Sequence, residues 1–266
     1  MSDSIAAVSS SLSGLDDQYE TITQNLANAN TTGYKRQCTA FSQSLAAQMS
    51  QAPGGALTGA ADNQQQGQIS SSSAIDFTQG AFAQTGSPLD MAIDSNGSSK
   101  DGTGKSATGF FVIETPKGPL YPRNGTFKLD PSGKLVDWAG RGVAGDGGPI
   151  IVPSTSSALN VQVAADGEVF ADGKTIGKLK IVQFNDESDL KKLSSVGGNC
   201  FSAPATVTPS PAKDFSVRQG VQESSNVNVV QELVSLITVT RLYEANLKNV
   251  QVQDDRLKNL LGVAMQ

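Results

Sequence analysis

Two stripes of apolar residues, one at each end of the chain, dominate its pattern. Near the N-terminus Ile5, Val8, Leu12, Leu15, Tyr19, Ile22 and Leu26 recur at alternating spacings of three and four. That period holds one apolar line along a helix that packs lengthwise on another helix. Ser, Asp, Gln, Thr and Asn lie between these positions, and Gly14 alone weakens the helix, by ~1 kcal/mol relative to Ala. Near the C-terminus Val229, Leu233, Leu236, Thr240, Tyr243, Leu247, Val250, Asp254, Leu257 and Leu261 step by four and three in turn. Asp254 reads as a register-setting residue in this seam. Val230, Val234 and Ile237 widen its apolar face near the start. Ser225, Asn226 and Asn228 each offer a side-chain oxygen to the first-turn N–H groups, and Asn228 with Gln231 has capping-box spacing. With no Pro or Gly before Leu261, the predicted helix is about 50 Å long.

The interior is patterned differently. Residues 37–87 are rich in Gln, Ser, Ala and Gly without a sustained period and read as an extended connector. From residue 88 to 220 short apolar runs alternate with turn signals. Asp130-Pro131-Ser132-Gly133 has type I turn chemistry, and Asp166-Gly167 and Asp172-Gly173 mark hairpins between β-branched and aromatic residues. The predicted architecture is α+β. Amphipathic helices at 1–36 and 221–266 pair as a coiled-coil-like domain, joined by the 37–87 connector to an inserted antiparallel β-rich domain at 88–220.

Composition narrows the function classes. The 266 residues carry a net charge of −5 with no basic run, which argues against nucleic acid. No apolar run approaches the ~20 residues of a membrane-spanning helix, so no membrane insertion is expected. The start MSDSIAAVSS lacks a basic region ahead of an apolar core, so no cleaved signal peptide is expected. Cys38 and Cys200 lie far apart and are expected as thiols.

There is no histidine, which removes the commonest general base, the usual triads and imidazole metal sites. The glycine clusters SNGSSKDGTGK and GRGVAGDGG lack phosphate-loop spacing. Asp254 and Asp255 point about 100° apart on a helix and do not converge on one ion; they and Asp186-Glu187 read as solvated charge. Trp138 and Tyr121 read as core or edge packing, and Lys35 and Arg36 as complements to the first helix's negative end. No catalytic residue, cofactor or metal is expected.

Two boundary motifs carry a resemblance. NLANANTTGYKR matches the N-terminal signature of bacterial flagellar rod and hook proteins at Asn25, Leu26, Ala27, Asn28, Thr32, Gly33, Tyr34 and Lys35. ESSNVNVVQELVSLITVTRLYEANLKNVQ is similar to that family's C-terminal signature at Ser225, Asn226, Val227, Asn228, Arg241, Tyr243, Glu244 and Asn246. PLDMAI, GFFVIETPKG, YPRNGTFKLDPSGKLV and GPIIVP resemble its core segments.

The resemblance implies a structural subunit of the flagellar basal-body rod. Such a subunit self-assembles with other axial proteins into a tube that carries torque across the periplasm. It also implies export through the flagellar type III apparatus, without a cleaved signal peptide. The Gly140–Ile150 run is closer to the proximal-rod pattern. RQGVQESSN departs from the distal-rod pattern, and SNGSSKDGTGKSAT, which contains the Ser98–Lys105 loop, fits neither. A distal-rod or hook subunit, or an oligomeric surface adhesion protein with a β head, remains the alternative. The residues expected in subunit assembly are Leu12, Leu15, Tyr19, Ile22, Asn25, Leu26, Asn28, Thr32, Gly33 and Tyr34, with Ser225, Asn226, Asn228, Leu233, Leu236, Tyr243, Glu244, Asn246 and Leu247.

Overall fold

A computed structural model describes residues 2–42, 70–95, 108–153, 160–184, 187–197, 199–213 and 215–264. Most of the 37–87 connector, the Ser98–Lys105 loop and Asp186 lie outside these residues, as do the side chains of Ile5, Val8, Asp254, Leu257 and Leu261. The chain forms two compact units, one from residues 1–27, 37–74 and 228–266, the other from 28–36 and 75–227.

The first unit is built on the two predicted helices, Ser2–Ala27 and Val229–Ala264. They pack through a small cluster of Leu15, Ile22 and Val239, flanked by Leu26, Leu236 and Tyr243. The packed line on the second helix is therefore Leu236–Val239–Tyr243. Val239 sits three residues after Leu236 and four before Tyr243, so it satisfies the same period in a register the sequence pattern did not single out. Leu233 and Leu247, expected in the seam, are 46% and 40% exposed, and Tyr19 is 49% exposed. A single partner helix covers only a narrow stripe, and residues at its margins stay wet. Tyr19 tolerates this because its ring is apolar and its hydroxyl polar.

In the second unit every described strand pair is antiparallel. The largest sheet runs Ser194–Ser195, Cys200–Ser202, Gly118–Pro122, Ile113–Thr115, Gly142–Gly145, Leu135–Val136 and Lys128–Leu129, with Gly148–Pro149 paired to Gly142–Gly145. Smaller sheets join Val161–Val163, Glu168–Ala171 and Lys174–Lys178, and join Ser210–Pro211, Ile181–Gln183 and Gly109–Phe111. Met91–Asp94 pairs with Ser216–Gln219, and Phe82–Gln84 with Val221–Glu223.

Continuous apolar runs such as GFFVI and KIVQF arise because their strands are buried on both faces. Phe111, Val143 and Ile181 enter one core cluster, and their neighbours Phe110, Ala144 and Val182 enter another. Successive side chains of a strand point to opposite faces, so one dipeptide seeds both cores. Phe110 is fully buried and meets Phe77, Phe184 and Phe201 edge to face, at centroid distances of 5.6, 5.5 and 6.1 Å.

The predicted turns form with the expected chemistry. Asp130 accepts from Gly133 N–H at 2.9 Å, and its side chain caps Ser132 and Lys134. Asp172 and Gly173 both have positive φ, as a two-residue hairpin turn requires. Trp138 departs from expectation: it is 57% exposed in the turn between Leu135–Val136 and Gly142–Gly145. Asp137 satisfies that turn by accepting from Ala139 and Arg141, so the indole is not needed to pack it. Tyr121 is buried, as expected.

Candidate assembly helices and helix-root junction

The expected assembly residues fall into three groups. Leu15 and Ile22 are buried, Leu12, Leu26, Leu236 and Tyr243 are half-buried, and all lie on the two helices. Asn246 is also half-buried, and its side-chain amide approaches Ser11 Oγ at 3.4 Å. Leu233, Glu244 and Leu247 are exposed on the second helix, as is Asn228 at its start. Beside Leu233 run Val230, Val234 and Ile237, at 70%, 60% and 54% exposure. This apolar stripe is the second face that the sequence pattern marked.

Asn228 caps that helix, its Oδ1 accepting from Val230 N–H at 3.1 Å and Gln231 N–H at 3.2 Å. Ser225 and Asn226, expected to share this role, do not. Ser225 Oγ accepts from Val227, and Asn226 faces the segment that follows the first helix. Asn226 Oδ1 accepts from Arg36 N–H at 2.7 Å, and its Nδ2 donates to Asp76 O and Thr78 O at 2.9 and 3.1 Å.

The third group is the junction of residues 25–36. Asn25 is buried at the end of the first helix and pairs both ways with Gln37, at 2.8 and 2.9 Å. Asn28 O takes Thr31 N–H at 3.1 Å, and Thr32 O accepts from Asn199 Nδ2 at 2.7 Å. Gly33 has a φ of 69°, but it lies well beyond the helix end at Ala27 and does not terminate it. It is glycine because a Cβ there would stand 2.6 Å from the backbone nitrogen of Asn124. Tyr34 is buried beside it in sequence.

Lys35 does not serve the helix end. Its side chain is fully buried, donating to Glu223 Oε1 at 2.7 Å and Thr78 O at 2.6 Å. Glu223 Oε1 also accepts from Gly80 N–H at 2.9 Å. Arg123 Nε approaches Glu223 Oε2 at 3.0 Å, an ion contact without hydrogen-bond alignment, and its Nη1 donates to Gly109 O. Two cations thus share one carboxylate. Burial, reinforced by Arg123 and opposed by Glu223 and Asp76, lowers the Lys35 pKa to about 8. Burial alone would raise Glu223, but Arg123 and Lys35 outweigh it and hold the carboxyl below its ordinary value. Lys35 and Glu223 are 188 residues apart. No short-range sequence signal announces that pairing.

Among the described residues no cluster of His, Cys, Asp or Glu is placed to hold a metal ion, and no helix is long and apolar enough to cross a membrane. Cys200 is a buried thiol whose sulfur accepts from Arg141 Nη2 at 3.1 Å; burial pushes its pKa up, away from reactivity.

The class the fold defines is a pair of amphipathic terminal helices, with apolar residues left exposed on the second, together with an antiparallel β-rich unit. Comparison with known proteins agrees. Residues 7–35 match the profile of "Flagella basal body rod protein", residues 106–171 that of "Flagellar hook protein FlgE/F/G D1 domain", and residues 218–263 that of "Flagellar basal body rod FlgEFG protein C-terminal". The chain is 32% identical to the flagellar basal-body rod protein FlgG of Buchnera aphidicola subsp. Acyrthosiphon pisum, covering 94% of this chain and 96% of that protein. It is 30% identical to FlgG of Bacillus subtilis over 96% of both chains. It is 32% identical to FlgF of Caulobacter vibrioides, over 86% of this chain and 84% of that one. The chain belongs to the flagellar basal-body rod protein family.

Proposed function

We propose that the protein is a structural subunit of the flagellar basal-body rod, of the proximal type. The observation that carries an assembly role is the stripe Val230, Leu233, Val234 and Ile237, exposed on the same helix whose Leu236–Val239–Tyr243 line is already covered. A helix with two apolar lines and one partner has a place for another helix. Subunits joined through such stripes, their terminal helices packed in coiled-coil fashion around an axis, make a shaft that resists twisting and passes torque from motor to hook.

Leu233, Glu244, Leu247, Tyr19 and Asn228 then meet neighbouring subunits directly, while Leu12, Leu15, Ile22, Leu26, Leu236, Tyr243 and Asn246 align the helix pair. Asn25, Asn28, Thr32, Gly33, Tyr34, Ser225 and Asn226 shape the segments that lead into it. The Gly140–Ile150 run supports the proximal position, and other axial proteins and the type III export apparatus are the partners this reading implies. It carries no enzymatic step.

Two experiments test it. Replacing Val234 and Ile237 together with Gln should leave the monomer's circular dichroism and thermal midpoint unchanged while abolishing motility and incorporation into basal bodies. Normal incorporation would refute the role of the stripe. Quantitative mass spectrometry of purified basal bodies separates the positions: a few copies per motor in the rod fraction fits the proximal rod, and many copies the distal rod or hook. Absence from basal bodies, with the protein at the cell surface, would favour an adhesion role.

A further inference from the structure

The two core clusters of the β unit draw only on residues between Ile75 and Val217. None of residues 28–36 belongs to either, although these residues are part of the same compact unit. Apart from the buried Tyr34, the attachments that fix them are polar. Gly33 N–H donates to Glu223 O at 2.7 Å, Arg36 N–H to Asn226 Oδ1 at 2.7 Å, and Asp76 N–H to Arg36 O at 2.8 Å. Asn199 Nδ2 donates to Thr32 O. Beneath the segment lies the buried Lys35–Glu223–Arg123 cluster.

We propose that residues 28–36 form a strap that opens and closes on a β unit complete without it, pinned in register by Lys35 on Glu223 and by Asn226 on Arg36. The strap follows the first helix directly, and its partners Glu223 and Asn226 lie just before the cap of the second. Opening it therefore frees the chain that leads out of the first helix, while Val221–Glu223 stays paired with Phe82–Gln84 and the β core stays folded.

Three features favour a separable latch over a share of the core. Hydrogen bonds and ion pairs specify register but contribute little net stability, because each group gives up water to form them. The pin is imperfectly balanced. With Lys35 withdrawn, Arg123 and Glu223 remain as a neutral pair; with it in place, a second cation is buried beside one carboxylate and the half-buried Asp76. Finally, the strap crosses Asn124 so closely that only a glycine fits at residue 33, so its closed position is unique.

Amide hydrogen exchange on the full chain tests this, with Gly33→Ala and Asn226→Ala as variants. Gly33→Ala cannot keep both its φ and its clearance from Asn124; Asn226→Ala removes the bond to Arg36 N–H in the strap and those to Asp76 O and Thr78 O beside it, without adding bulk. The expected result is exchange at least tenfold faster at the reporter amides of Gly33, Arg36 and Asp76. The amides of Leu135, Ala144 and Lys180, bonded to Ile150, Val112 and Ala144 within the core, should keep their protection. Equal loss at strap and core amides would show one cooperative unit and overturn the proposal, as would unchanged exchange at the strap amides. Should Gly33→Ala not fold, Asn226→Ala decides alone.

Discussion

Replacing Lys35 by Met should change the pH dependence of stability in one direction. Lys35 has a folded-state pKa of about 8 against an ordinary value of 10.5, through burial first and Arg123 second. A lysine whose folded pKa is depressed binds its proton less readily when folded. Its contribution to stability is therefore fully present above the unfolded pKa and lost as pH falls towards 8. A shift of this size corresponds to about 3 kcal/mol, most of which appears between pH 7 and pH 10.

Met keeps an apolar stem of similar length and does not titrate. Other lysines and tyrosines titrate alike in both proteins and cancel in the difference. Urea unfolding of wild type and Lys35→Met at pH 7, 8, 9 and 10 reads the effect. Wild type should gain on the variant as pH rises, mostly between pH 8 and 10. A difference that is flat across this range, or that moves the other way, would refute the picture of two buried cations sharing Glu223.

Three further outcomes follow from the geometry. Phe110→Ala, which empties a fully buried position ringed by Phe77, Phe184 and Phe201, should cost about 3–5 kcal/mol in a urea titration. Asn228→Ala should weaken the second helix by about 1 kcal/mol, seen as a loss of helicity by circular dichroism with the β unit's midpoint unchanged. Gly125→Ala should destabilise by roughly 1–3 kcal/mol, because its Cβ would meet Met91 O at 1.8 Å; a thermal midpoint equal to wild type would show that the backbone there yields freely.

Much of the architecture was legible in the chain because its signals are local. A three-four apolar period commits a segment to an amphipathic helix whatever its partner, and Ser2–Ala27 and Val229–Ala264 form as that period requires. Asp-Gly and Asp-Pro-Ser-Gly turns close the hairpins they predict, since positive φ and side-chain caps are properties of the turn itself. The choice between Thr240 and Val239 as the packed residue between Leu236 and Tyr243 was not legible, because both fit the period and only contact with the first helix separates them. Trp138 shows the same limit, since an apolar residue records a preference for burial and the fold decides whether a place exists.

The junction lay furthest from the sequence's reach. The dense amides of NLANANTTGYKR mark the end of a helix, but Asn25 bonds to Gln37, and the backbone of Thr32, Gly33 and Arg36 bonds to Asn199, Glu223 and Asn226. A buried charge needs a partner, yet neither Lys35 nor Glu223 records in its neighbours that it will be buried. Helices and turns are determined by interactions a few residues long, which the sequence displays. Which cation meets which carboxylate depends on long-range folding, which brings distant segments to one point, and only the tertiary structure decides it.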